Sequence, residues 1–193
     1  MAKGEKLATL KWMTRLNSMM LIAVPQLVDP NFKRAVVLIL HHDEEGAFGL
    51  VVNDPTTLSL RDFARAQNLG LNMGHFAQPV YCGGPVEPYR GWILHEQERL
   101  EEKQEISPGL YVSGSNETLK TVLEGGDSHF RFLLGYAGWG PAQLEKELED
   151  GSWITTPVES KYIFFNNPDD TWDAMLHDMG VDPATLAHGH GLH

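Results

Sequence analysis

The chain has 193 residues, 42% of them hydrophobic and 21% charged, with 19 glycines and 11 prolines. That length and balance suit one globular domain with a core of its own, and they exclude disordered, collagen-like and coiled-coil classes. A single cysteine, Cys82, excludes an internal disulfide framework and a multi-cysteine zinc site, while the net charge of -11 counts against a polyphosphate partner.

In chain order, residues 5–17 carry Leu7, Leu10, Met13 and Leu16 at roughly helical spacing. Residues 20–24 read as a strand stopped by Pro25. Val36-Val37-Leu38-Ile39-Leu40 and Phe48-Gly49-Leu50-Val51-Val52 are unbroken and apolar, so each reads as a strand covered on both faces, and together they make a hairpin across a loop at 43–47. Ser59 with Asp62 forms a capping box for a helix near 60–68, closed by Gly70. Strands are expected at 79–82, 91–95 and 110–112, with the acidic run 96–105 as a solvated connection or surface helix. Ser115 or Asn116 caps a helix that ends at Gly125-Gly126. A strand at 130–136 leads to a helix from Pro141 to Glu149, stopped by Gly151. After a strand at 153–156, Asp169 or Asp170 caps a last long helix with Trp172, Met175, Leu176 and Met179 on one face and Gly180 at its end. Hairpins mixed with scattered helices give an α+β fold. Residues 1–18 read as a helical extension, and 19–193 as a single domain.

The charge is uneven. Residues 1–34 hold six cations against two acids, and the remainder holds nine against 24. Nucleic-acid binding needs a basic stripe that releases counterions, which the body of the chain lacks. Lys3, Lys6, Lys11 and Arg15 ahead of Met19 to Val24 imitate a targeting leader, but the apolar stretch is short and no small-x-small cleavage signal follows Pro25. The expectation is a cytoplasmic protein with no processed leader and no membrane span.

Several residue groups have chemistry in reach. His41 and His42 are adjacent on a strand and point to opposite faces, so they do not share a metal. His42 falls opposite Phe48 in the expected hairpin, far from Asn53, and reads as a donor that supports the turn. The tail from His188 to His193 has three histidines on a glycine-hinged end, where ordering costs entropy, so no metal is expected. Cys82 and His95 make a weak nucleophile pair with no orienting group indicated. Gly83-Gly84-Pro85 is not a P-loop, but its amides can form an anion nest beside Arg90, or simply a tight turn. In Gly135-Tyr136-Ala137-Gly138-Trp139-Gly140-Pro141, Trp139 and the following Gln143 can form a ligand shelf, or a packed strand-to-helix corner. The candidate ligand residues are therefore Gly83, Gly84, Arg90, His95, Trp139 and Gln143, with no catalytic set and no cofactor.

Leu21 to Pro25, Asp29-Pro30, Phe32, His42, Gly46-Ala47, Gly49, Asn53, Pro55, Gly83 to Val86, Arg90-Gly91, Leu94-His95, Gly135 to Gly140, Gln143 to Glu145, Glu147-Leu148 and Trp153 follow one another in an ordered pattern. In these motifs the chain resembles the YqgE/AlgH family of small bacterial proteins over roughly residues 20 to 180. Residues 1–18 and Cys82 lie outside the pattern, Asp54 replaces a basic or polar residue, and Ala142 stands where glycine is common. The resemblance implies a small closed β-barrel with a bifurcated sheet surrounded by helices. It implies a transcriptional-regulator label without an established enzyme activity. It also implies, by gene neighbourhood, a Holliday-junction-resolvase-like protein as partner. The reading is a non-enzymatic binding or regulatory protein, monomeric or weakly oligomeric, acting through protein or small-ligand contacts. The alternatives are an enzyme on a small anionic substrate using His95, Arg90 and the Gly83-Gly84 turn, and a DNA-binding regulator using the basic segment 1–34.

Overall fold

Side-chain alternation within the apolar runs sets the architecture. The computed structural model describes residues 16–69, 78–124 and 129–188. Along β1 (Met19–Ala23), Met20 and Ile22 face one way and Leu21 and Ala23 the other, and all four are buried. β2 (Val36–Asp43) does the same through Leu38 on one side and Val37 and Ile39 on the other. Two cores result, one on each face of this part of the sheet, and a third gathers Leu60, Val80, Ile93, Leu119 and Phe132.

β3 (Gly46–Val51) completes the expected hairpin with β2, which is longer than its apolar run and includes both histidines. A bulge between Ile39 and His41 shifts the register, so His42 pairs with Ala47 rather than Phe48. β4 (Pro55–Ser59) leads into helix α1 (Leu60–Ala66), where the Ser59 hydroxyl accepts the Asp62 N–H as the capping box requires. That helix ends at Gln67, with Asn68 in the left-handed region, before Gly70, which lies outside the described residues. Next come β5 (Pro79–Cys82), β6 (Val86–His95), β7 (Gln104–Ser107), β8 (Leu110–Ser113) and α2 (Asn116–Glu124), capped by Ser115.

β9 (Phe130–Trp139) runs through the glycine-rich motif that was expected to leave the sheet. α3 (Gln143–Glu149) starts two residues beyond Pro141 because Ala142 turns left-handed, and β10 (Trp153–Pro157) follows. β4, α4 (Ser160–Phe164) and α6 (Pro183–His188) have no counterpart in the sequence reading, and β7 takes up the end of the acidic run 96–105. α5 (Pro168–Asp178) is capped by Asn167 rather than by Asp169 or Asp170, because Pro168 holds its first helical position. Trp172, Met175 and Leu176 cover one sheet face, and the Trp172 indole donates to the Ala23 carbonyl at 2.7 Å, whereas Met179, expected on that face, lies past the end of the helix and is exposed. At the opening, Leu16 is buried on the other face and the Ser18 N–H donates to the Ile39 carbonyl. Of the expected helix over residues 5–17, residues 5–15 lie outside the described residues.

The strand order is β10-β1-β2-β3-β9-β6-β8-β7, antiparallel between neighbours. The α+β class holds, but the barrel is not closed: β10 and β7 stand at the two ends of a curled half-barrel. β7 is four residues long and β10 ends on Pro157, which has no N–H, and short edges of this kind terminate a sheet.

The sheet forks at β9. One edge of β9 pairs with β6, while the other takes β5 in parallel at Leu133 and Leu134 and then β3 from Ala137 to Trp139. The change of partner occurs at Gly135, which has φ +74°. A Cβ there would sit 2.3 Å from the Gly84 carbonyl oxygen, and one on Gly83 would sit 2.3 Å from that of Gly135. Backbone meets backbone at the fork, which only glycine permits.

Candidate functional site

The residues singled out from the sequence separate into several places. His95 is fully buried. The Gln97 N–H donates to its Nδ1 at 3.2 Å, so Nε2 carries the proton and donates to the Ser113 hydroxyl at 2.9 Å. Ser113 passes its own proton to the Glu102 carbonyl at 2.6 Å. Burial, helped by nearby Lys103, lowers the His95 pKa to about 4, so the ring is neutral at pH 7 and every nitrogen is paired.

Cys82 does not join it. Cys82 is level with Leu134 on one edge of β9 and His95 with Phe130 on the other, so strand rise alone parts them by roughly 13 Å. Burial also pushes the Cys82 thiol up, against thiolate formation.

Gly83 has both its backbone groups engaged within the sheet, as the tight-turn alternative requires. The Gly83 N–H donates to the Leu134 carbonyl at 2.7 Å, and the Gly83 carbonyl accepts from Val51 at 2.8 Å. Arg90 turns elsewhere, 3.3 Å from Glu87 and 4.4 Å above the Trp92 ring.

The ligand shelf is likewise a packed corner. Trp139 is buried, stacked on Phe32 at 6.1 Å and meeting Trp153 edge-on at 6.0 Å. The Glu147 carboxylate takes both indole N–H groups, at 2.9 and 2.8 Å, and the Gln143 amide at 2.9 Å. Gln143 in turn accepts the Gly140 N–H at 3.0 Å. These residues fasten α3 to the sheet.

His42 does not support its turn. Its Nε2 meets Glu145 Oε1 of α3 at 3.0 Å, while Nδ1 and Glu145 Oε2 have no hydrogen-bond partner among the described residues. Asn53 lies apart from it, accepting the Val36 N–H at 2.8 Å and donating to the Arg34 carbonyl at 3.0 Å. Among the described residues, no three His, Cys, Asp or Glu side chains converge as a metal site.

One surface is built differently. Where β2, β3, β9 and β6 lie side by side, a cleft of about 440 Å³ opens over Phe48, Trp92 and Tyr136. The three rings meet at centroid distances of 5.9, 5.9 and 6.4 Å. Gly138 is level with Phe48, and a Cβ there would make ordinary contacts with the Tyr136 and Val86 side chains at 3.4 and 3.6 Å. No backbone crowding demands this glycine; its missing side chain keeps the cleft open.

The rim is charged. Asp43 holds His41 at 2.7 Å and the Glu45 N–H at 2.8 Å, and the His41 hydrogen bond lowers its pKa. On the opposite side β6 bulges between Val86 and Gly91, with Glu87 at φ +45°. The bulge leaves Tyr89 94% exposed. Trp92 lines the cleft, and its indole N–H is buried without a hydrogen-bond partner among the described residues.

Of the six residues proposed from sequence, Arg90 and Trp139 line this cleft, and Gly83, Gly84, His95 and Gln143 do not. Phe48, Trp92 and Tyr136 read from the sequence as ordinary strand residues, and no local signal marks them as neighbours.

Residues 20–184 match the model of the family described as AlgH-like (DUF179). The chain belongs to the AlgH-like family. It is 47% identical over 173 residues to a UPF0301 protein of Myxococcus xanthus, covering 90% of this chain and 96% of that one. A UPF0301 protein of Methylococcus capsulatus is 39% identical over 176 residues, covering 89% and 94%. The solution structure of the AlgH protein from Pseudomonas aeruginosa superposes with a TM-score of 0.72 at 33% identity, covering 92% of this chain and 95% of that one. A crystal structure of a Corynebacterium diphtheriae protein shares the fold at TM-score 0.68 and 21% identity, over 88% and 90% of the two chains. No helix among the described residues is long and apolar enough to cross a membrane.

Proposed function

We propose that this AlgH-like protein is a binding or regulatory protein that works without turnover, holding a protein segment or small ligand in the Phe48–Trp92–Tyr136 cleft. The observation that carries the reading is the cleft itself, about 440 Å³ of open space over three aromatic rings in mutual contact. A concave aromatic surface with a few polar groups on its rim is the kind of place where ligands bind. The bulge supports the same reading: a left-handed Glu87 and a solvent-facing Tyr89 are costly for a surface with no contact to make.

The enzymatic alternative draws no support from His95, which is enclosed and neutral, or from Arg90, which is turned to Glu87 and Trp92. The DNA-binding alternative has the acidity of the body against it. A Holliday-junction-resolvase-like protein is the first partner to test.

A fragment screen by NMR on the labelled full chain tests the cleft. Shifts should concentrate on Phe48, Trp92 and Tyr136 and disappear in Phe48→Ala. Shifts spread evenly over the surface, or centred on another region, would remove the proposal.

A further inference from the structure

We infer that the occupant of this cleft is an arginine-bearing segment of a partner protein. The inference rests on the cleft reading above and adds the chemical class of what binds.

Arg90 displays the mode of recognition. Its guanidinium lies over an aromatic face and against the Glu87 carboxylate, and its side chain is half exposed, so the contact is made in water rather than enforced by burial. Guanidinium over an indole with a carboxylate beside it is a favourable arrangement wherever it recurs. The cleft offers the same pair of elements again: the Phe48 and Tyr136 rings, with Asp43 and Glu45 on the rim.

The balance of charge selects the sign of the occupant. The hairpin tip places Asp43, Glu44 and Glu45 in succession, and Glu87 stands on the facing bulge. Against them stand His41, already bonded to Asp43, and Arg90, already bonded to Glu87. An anion entering here meets four carboxylates against two basic side chains, and a cation meets the excess carboxylate and the aromatic rings.

The size and aromatic lining of the cleft select a peptide over a bare cation. A peptide brings apolar surface for the rings alongside its basic side chain, whereas a metal ion brings none. Tyr89 supplies a large, rigid contact beside the cleft at small entropic cost, as aromatic residues do in protein interfaces.

The test uses three capped pentapeptides, Gly-Arg-Phe-Arg-Gly and its twins with glutamine or glutamate in place of both arginines. They are titrated into the labelled full chain at low and at physiological salt. The Trp92 indole N–H resonance, assigned by its loss in Trp92→Phe, is the reporter. The arginine peptide should bind about ten-fold tighter than the glutamine twin and weaken with salt. Glu45→Lys and Tyr89→Ala should each lower its affinity roughly three- to five-fold with an unchanged melting temperature, since both side chains are exposed. Equal affinity for the arginine and glutamine peptides, or a preference for the glutamate peptide, overturns the arginine assignment. If fragments still bind the cleft in that case, the proposed function survives. If neither fragments nor peptides bind there, both fall.

Discussion

The fork of the sheet and the aromatic cleft are built on the same two strands, β6 and β9, and treat their polar groups in opposite ways. At the fork, the Gly83 amide and carbonyl are both bonded, and three glycines pack with no room for a side chain. At the cleft, Gly138 has room for a side chain and lacks one, and an indole donor is left without a partner. Motifs that look chemical in the sequence are thus used in making the fold. The surface open to a ligand is assembled from residues with no motif of their own.

That contrast can be broken most severely at the fork. Gly84→Ala puts a Cβ 2.3 Å from the Tyr136 carbonyl carbon at φ +145°, and no side chain can relieve a backbone clash. The variant should fail to fold or lose at least about 4 kcal/mol in denaturant unfolding.

The enclosed His95 gives the next largest effect. His95→Ala leaves the Gln97 N–H without its acceptor and opens a cavity, for a loss of about 3 kcal/mol in urea unfolding. The folded pKa of about 4 lies below the ordinary 6.5, so the unfolded chain takes up the proton first. Stability is therefore intact above pH 6.5 and falls as pH drops toward 4, by about 3 kcal/mol from this group. His95→Gln keeps an acceptor and a donor and should flatten that slope; an unchanged slope would mean another group sets it.

Glu147→Gln sharpens the comparison at the α3 corner. With one carboxylate oxygen gone, three N–H donors share a single neutral acceptor, and stability should fall by about 1–2 kcal/mol with a change in the near-ultraviolet signal of Trp139 and Trp153. Tyr89→Ala is the mildest. It should change stability by less than about 0.5 kcal/mol while weakening whatever the cleft binds. A large stability loss from Tyr89→Ala would make the bulge a structural element.

Much of the local structure was legible in the residues. The hairpin of β2 and β3, the Ser59 and Ser115 caps, the buried face of α5 and the stops at Gly151 and Gly180 follow from short-range patterns, because capping, turns and alternation are settled by neighbours in sequence. The misses share another cause. A bulge near Leu40 moved His42 out of its expected register and toward Glu145 on α3, 103 residues away. The Gly135 to Gly138 stretch stayed in the sheet because β3 was there to pair with it. The closed barrel implied by family resemblance opened because β7 and β10 never meet.

By itself the sequence determined most of the strands and helices, the faces they bury, and that the body carries a strong negative charge. Tertiary structure alone decided that Phe48, Trp92 and Tyr136, in three strands far apart along the chain, stand side by side over one cleft. Local preference reaches only a few residues along the chain. The order in which β3, β9 and β6 pair is a long-range outcome of packing, and it is that order which creates the site.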